Sequence, residues 1–211
     1  MPIRILVADD HAIVRQGLKQ IISTTPDMSV DDEAGSHREV LSKVSQKNYD
    51  VVVLDLSMPG GSGLDTLKQI RALRPRMPVL VLSFHPEEQY AVRVLKAGGS
   101  GYLAKESAPD ELVRAIRKVV SGGRYVSSSL AEKLALDLEE DREKPIHETL
   151  SDREYQVMCL IAAGKPVGEI AREMSLSAKT VSTYRARVLS KLKMQNNSQL
   201  THYAMKHDLV H

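Results

Sequence analysis

Five residues of this chain have types and positions that could do chemistry together: Asp9, Asp10, Asp55, Ser83 and Lys105. Each closes or follows a short apolar run, in "ILVADD", "VVVLD", "VLVLS" and "GYLAK". Alone, each has an ordinary reading: Asp is common where strands stop, and a lone lysine is a solvated surface group. Together they make a different case. If the runs ending in Asp9–Asp10 and in Asp55 are neighbouring strands, three carboxylates converge in one crevice, at a cost of several kcal/mol for an effective dielectric of about 20. A hard, oxygen-seeking divalent ion such as Mg²⁺ is the natural compensation. Add a hydroxyl (Ser83) and a cation (Lys105), and the set suits phosphoryl transfer, which is mostly positioning and charge neutralisation.

The elements that must hold these residues follow from patterning. Val51 to Leu54 form a β-branched run without polar alternation, the signature of a strand buried on both faces. Similar runs occur at 3–8, 28–34 (weaker), 51–55, 78–83 and 100–104, and helix-like segments lie at about 12–23, 36–46, 64–73, 87–97 and 109–120. Five strand–helix units in succession predict a doubly wound, five-stranded parallel sheet over residues 1–120, with helices on both faces. In such a sheet, ligands collect at the carboxyl ends of the strands. "SGGRYVSSS" then interrupts the pattern, and 121–148 reads as a linker, partly helical through "LAEKLALDLEEDREK".

From Leu150 on, strand signals cease. "SDRE" at 151–154 is a capping box. The helix it starts should stop at Gly164; "VGEIAREM", a turn at "SLS", a helix capped by Ser177 and a last helix in "NSQLTHYAMKH" complete an all-α, four-helix unit over 149–211. Helix, tight turn, helix is the layout of a helix-turn-helix that reads double-stranded DNA. With Val181 facing inward, the helical period places Val188 and Leu192 beside it and projects Lys179, Thr183, Ala186, Arg187 and Ser190 opposite, Ser182 and Lys193 flanking. Charge agrees: residues 1–125 carry 17 Lys+Arg against 15 Asp+Glu, residues 126–148 carry 3 against 7, and residues 149–211 carry 9 against 5. A basic tail favours nucleic acid, and the lack of an aromatic stacking platform argues against single-stranded RNA.

At 211 residues and 42% apolar content, the chain suits two small domains. No stretch approaches the ~20 apolar residues of a membrane span, and "MPIRILVADD" meets charge too early for a secretory segment, which reads as a cytoplasmic protein. The single cysteine, Cys159, excludes an intrachain disulfide framework and a Cys-rich zinc site, and lies in an apolar helical stretch.

The ordered motifs "ILVADDH", "VVVLDLSMPGGSGL", "VLS" and "KAGGSGYLAK" resemble the receiver domain of two-component response regulators, a flavodoxin-like fold. "EIA…LS.KTV" resembles the core of the LuxR-type DNA-binding domain, and the two together resemble the NarL/FixJ subfamily. The resemblance implies that Asp55 accepts a phosphoryl group from a phosphohistidine of a sensor histidine kinase. It implies Mg²⁺ held by Asp10, by Asp9 largely through water, by Asp55 and by the Ser57 carbonyl. Ser83 and Lys105 would bind the phosphoryl group, with Tyr102 as a switch aromatic or a packed ring. Lys179, Ser182 and Thr183 would lie nearest the DNA, with Arg187 and Lys191 reaching phosphates and Ala186 on the same face. Leu200 and Tyr203 would form a dimer contact in a phosphorylated homodimer. No separate substrate turnover is implied.

Two departures stand out: Glu106 follows Lys105 where receivers often have proline, and His85 reads as a loop histidine or as a group influencing the acyl phosphate. Other readings remain open from the residues: a Mg²⁺-dependent phosphatase, against which Ser57 counts where a second Asp is wanted, and a regulator that binds DNA without phosphorylation. A nucleotide-binding module is weaker, since neither a P-loop nor GxGxxG occurs.

Overall fold

The computed structural model describes residues 2–59, 61–107, 109–132, 145–207 and 209–210. The chain forms two compact units, 1–136 and 137–211. The first alternates β1 (Ile3–Ala8), α1 (Ala12–Ser23), β2 (Met28–Ala34), α2 (His37–Gln46), β3 (Val51–Leu54), α3 (Gly63–Leu73), β4 (Val79–Ser83), α4 (Glu87–Lys96), β5 (Gly101–Ala104) and α5 (Pro109–Val120). All strand pairings are parallel, in the order β2-β1-β3-β4-β5. The switch in strand order therefore falls between β1 and β3, where such sheets place their ligands.

The period-2 alternation sorts the core. Ile5, Val7, Val51, Val53, Leu80, Leu82 and Leu103 pack against Leu18 and Ile22 of α1 and Leu112, Ala115, Ile116 and Val119 of α5. The intervening residues Leu6, Val52, Leu54 and Val81 are equally buried toward the other face, where α2, α3 and α4 contribute Val40, Val44, Leu64, Leu67, Ile70, Tyr90 and Val94. β2 reads weakly in sequence because it is an edge strand: Asp31, Asp32 and Glu33 are only partly buried there, and charge on an exposed edge discourages pairing with another chain.

In the second unit a short 3-10 turn (Ile146–Thr149) precedes α6 (Asp152–Ala162), α7 (Val167–Glu173), α8 (Ala178–Lys191) and α9 (Asn197–Lys206). The capping box at Ser151 is formed in both directions, Glu154 N–H to Ser151 Oγ and Ser151 N–H to the Glu154 carboxylate. Gly164 has φ +83°, and Lys165 N–H reaches back to the Leu160 carbonyl at 3.1 Å, the left-handed stop expected there. The "SLS" turn uses the same device with a non-glycine: Ser175 has φ +53° and Leu176 N–H bonds the Ala171 carbonyl at 2.8 Å. Cys159 is buried, as its apolar surroundings suggested. Of the linker helix expected in "LAEKLALDLEEDREK", residues 130–132 are helical and 133–144 lie outside the described residues.

Candidate functional site

Register builds the first site. Ala8 pairs with Leu54, so the residues that follow them, Asp9 and Asp55, leave the sheet side by side. Asp55 N–H is held by the Ala8 carbonyl at 2.9 Å and Asp9 N–H by the Ala34 carbonyl at 3.0 Å. Both carboxylates are buried, at 1% and 2% exposure for Asp9 and Asp55, whereas Asp10 and His11 are exposed. On the other side Ser83 pairs with Ala104, and Lys105 N–H bonds the Ser83 carbonyl at 2.9 Å, which aims the lysine back over the strand ends.

Lys105 Nζ lies 2.8 Å from Asp55 Oδ2 and 2.5 Å from Asp9 Oδ2, with its side chain only 3% exposed. The reading of Lys105 as a counter-charge thus has its geometry, and the lysine is not a solvated one. Burial pushes the Asp55 carboxyl above its ordinary range, against the opposing pull of Lys105. Burial works to lower the Lys105 ammonium, but its bonds to Asp55 and Asp9 hold it above its ordinary value. Asp9 Oδ2 receives the ammonium as an ion pair and no well-directed hydrogen bond. Ligand atoms of Asp9, Asp10, His11 and Asp55 lie within 4.8 Å of one another. Two buried carboxylates and an exposed third within this reach make an acidic pocket compatible with a divalent metal.

The loop after β4 closes around this pocket. His85 N–H donates to Ser83 Oγ at 3.2 Å, and the Tyr102 hydroxyl donates to the His85 carbonyl at 2.6 Å. The His85 ring stacks on Tyr90 with centroids 4.5 Å apart, and its Nε2 lies 3.1 Å from Ser57 Oγ. Tyr102 is fully buried, which pushes its phenol well above the ordinary value. Ser57 itself is exposed, its N–H donating to Asp55 Oδ1 at 3.1 Å. Two participants, His11 and Phe84, and one contact between residues already singled out escaped the sequence reading of the pocket. His11 sits 3.0 Å from Asp10 and 3.4 Å from Asp9, and only its adjacency to "ADD" signalled it. The His85–Ser57 contact joins residues 28 positions apart. Phe84 covers Lys105, and nothing in a single apolar residue announces that.

On α8 and at its C-cap, Val181, Val188 and Leu192 are buried, while Lys179, Ser182, Thr183, Ala186, Arg187 and Ser190 are exposed. The helical face read from periodicity is the one the fold presents. Arg185 turns aside and bonds the Asn197 side chain at 2.7 Å, bracing α8 against α9. Lys191 is directed to Glu154 at 2.6 Å, a buried carboxylate of α6. Burial alone would raise Glu154, but Lys191 and Ser151 together leave it below the ordinary range.

Residues 5–117 match the response regulator receiver domain family, and residues 148–204 match the bacterial regulatory proteins of the luxR family. The chain is a two-component response regulator with a LuxR-type DNA-binding domain. It is 38% identical over 208 residues to the response regulator UvrY of Escherichia coli K12, covering 98% of this chain and 95% of that protein. It is 40% identical over 200 residues to the transcriptional regulatory protein UhpA of Salmonella typhimurium, covering 95% and 96%. Among solved structures it is similar to RcsB of Salmonella enterica serovar Typhimurium bound to the rprA promoter in the presence of the phosphomimetic BeF₃⁻. That match has a TM-score of 0.67 and 27% identity, and covers 96% of this chain and 98% of that one. These relatives are transcriptional regulators rather than enzymes, and the phosphatase reading falls away. No helix of the described residues is long and apolar enough to cross a membrane.

One expectation for this response regulator needs correction. Leu200, expected at a dimer contact, is 0% exposed: it points into the four-helix core and has no surface to offer a second copy. Periodicity marks it as apolar but cannot separate a core position from an interface position. Tyr203 is half-buried and its hydroxyl lies 3.0 Å from His147 Nδ1, whereas Met205, further along α9, is 60% exposed.

Proposed function

We propose that Asp55 of this response regulator accepts a phosphoryl group from the phosphohistidine of a sensor histidine kinase, with Mg²⁺ bound, and that phosphorylation controls dimerisation and sequence-specific DNA binding. The observation carrying this is Asp55 at the tip of a buried strand, beside Asp9 and 2.8 Å from Lys105. A rigid strand holds the nucleophile while its tip faces the donor. The carboxylates of Asp9, Asp10 and Asp55, with the Ser57 carbonyl, would hold the ion. Mg²⁺ supplies charge neutralisation for the oxygens of the transferring phosphoryl group.

One carboxylate oxygen of Asp55 forms the new P–O bond as the P–N bond breaks, and the electron pair stays with the imidazole, which takes up a proton. Lys105, already on Asp55 Oδ2, needs only a short displacement to pair with the phosphoryl oxygens. Ser83 donates its hydroxyl to the same group. Either movement pulls on the loop that His85 and Tyr102 hold together, so Tyr102 is the ring through which the change would pass to the surface around α4 and α5. The added charge of about −1.5 to −2 would by itself repel DNA, so its useful effect is conformational.

In the tail, Lys179, Ser182 and Thr183 would lie nearest the DNA from the start of α8, with Ala186 on the same face and Arg187 reaching phosphates, as a helix-turn-helix requires. The structure of RcsB with promoter DNA and a phosphomimetic supports the joint reading. The functional units are a receiver over 1–120, a linker over 121–148 and a DNA-binding domain over 149–211. A homodimer would read two half-sites about one helical turn apart. The exposed face of α9 around Met205 suits that pairing, and a DNA-binding regulator of this kind acts in the cytoplasm.

The test is intact-mass spectrometry of wild type and Asp55→Asn after incubation with Mg²⁺ and acetyl phosphate, with DNA affinity measured on the same samples. One base-labile phosphoryl adduct on wild type alone, with tighter DNA binding, is expected. An equal adduct on Asp55→Asn, or DNA affinity indifferent to the adduct, overturns the assignment.

A further inference from the structure

Phe84 is the chain's single phenylalanine and is 62% exposed. Exposed apolar side chains scattered singly are normal and need no explanation. What distinguishes this one is its neighbour: Lys105 Nζ lies 4.8 Å from the ring centroid, within cation–π range. The ammonium is almost excluded from water, with 3% side-chain exposure, although it sits at the open end of a sheet. The two carboxylates cover Lys105 from the strand side, and the Phe84 ring lies over it from the loop side.

The ring's outward position is not looseness of the loop. Ser83 before it is the last residue of β4 and fully buried. His85 after it is anchored through its N–H, its carbonyl and its ring. Phe84 is therefore held between two pinned residues and directed over the site.

We infer that Phe84 is a positioning residue for Lys105, and that its ring, kept closed by attraction to the ammonium, shields the phosphorylated Asp55 from water and lengthens the life of the phosphoryl group. This rests on the reading of Asp55 as phosphoacceptor. Loss of the group is hydrolysis: water oxygen bonds to phosphorus, the P–O bond to Asp55 breaks, and the carboxylate and inorganic phosphate are released. Lys105 pairs with the phosphoryl oxygens during that life, so a ring held on Lys105 lies beside the group that water must reach. Bulk alone does not achieve this, because an aliphatic side chain has no negative face to hold it on a cation.

The test separates bulk from attraction. Wild type, Phe84→Ala, Phe84→Leu and Phe84→Tyr are phosphorylated with acetyl phosphate and Mg²⁺, the donor is removed, and the adduct is followed by intact mass. The Ala and Leu variants should lose the phosphoryl group about three- to tenfold faster, as a lost cation–π contact allows, and Tyr should restore the wild-type lifetime. In parallel, the Lys105 Cε protons of the unphosphorylated protein should show an upfield ring-current shift in wild type and Phe84→Tyr that is absent in Phe84→Leu. A Leu variant with wild-type lifetime overturns the inference, as does an Ala variant with unchanged or longer lifetime, while leaving Asp55 as phosphoacceptor. Absence of any adduct on wild type overturns the phosphoacceptor reading and the shielding role with it; the ring-current shift then reports the Phe84–Lys105 contact alone.

Discussion

Lys105→Met is the most informative single change at the receiver site, because it removes the ammonium and keeps most of the apolar stem. Asp9 and Asp55 are then left as two nearly inaccessible carboxylates whose ligand atoms lie within 4.8 Å. Two unit charges at that separation repel by about 3 kcal/mol for an effective dielectric near 20. That agrees with the ~3–5 kcal/mol typical of removing one partner from a buried pair. In a chelator at pH 8 the variant should therefore lose about 3 kcal/mol, a large share of the ~5–15 kcal/mol that stabilises a typical domain.

Two conditions should reduce that deficit. Mg²⁺ at about 100 times its dissociation constant contributes about 2.7 kcal/mol to a fold that binds it, and should stabilise the variant more than wild type, where Lys105 competes for the same oxygens. Acid should act in the same direction. Asp55 has a folded pKa above its unfolded value, and losing Lys105 raises it further, so ionisation costs the folded state. The deficit is small near the unfolded carboxylate value of about 4 and is fully present once pH has risen through the folded pKa. Pulse hydrogen exchange along a urea series, read by mass spectrometry on peptides spanning β1 and β3, measures this, with peptides of α6 and α8 as reference. An undiminished midpoint in chelator at pH 8, or equal stabilisation of both proteins by Mg²⁺, would refute the charge accounting.

Four further outcomes follow from the geometry. Arg187→Ala and Lys179→Ala, both exposed on α8, should weaken DNA binding across sequences and each reduce the slope of log affinity against log salt by about 1. Lys191→Ala should mainly cost the domain about 1–2 kcal/mol, because its charge satisfies Glu154; a salt titration of DNA binding beside a thermal melt distinguishes the two effects. Gly63→Ala should destabilise the receiver by about 1–3 kcal/mol in urea titration, since the new Cβ would meet Leu56 Cα at 2.4 Å and its carbonyl oxygen at 2.7 Å. Asp32 is held down to about 2, by Lys47 first and then Tyr49. Because it is 28% exposed and Lys47 43%, Asp32→Asn should cost only about 1 kcal/mol at neutral pH, and that difference should fade as pH falls from about 4 through about 2.

Local physics was legible in the sequence almost everywhere it acts alone. The apolar runs located the five strands of the described residues, because a strand buried on both faces is apolar along most of its length, and even the edge strand β2 was placed despite its charges. The capping box at Ser151 and the left-handed stop at Gly164 are short-range devices, written within four residues. The exposed face of α8 follows from helical period and the position of one core residue. Leu200 shows where this reasoning ends: its apolar character is local information, while its burial depends on which other helices lie over it.

The chain by itself determined the types of the reacting groups, their places at strand ends and the five-unit alternation that brings strand ends together. Only the tertiary structure decided how those groups share charge. The β2-β1-β3-β4-β5 order makes Asp9 and Asp55 neighbours, and the turn after β5 sets Lys105 between them, 50 residues from Asp55 and 96 from Asp9 in sequence. Burial then converts a surface-type lysine into a fixed counter-charge, a change no spacing rule records, because electrostatic strength depends on the water excluded by residues distant in the chain. The same holds for Phe84 and His85, whose side chains acquire their partners only when β3, β4 and β5 lie side by side.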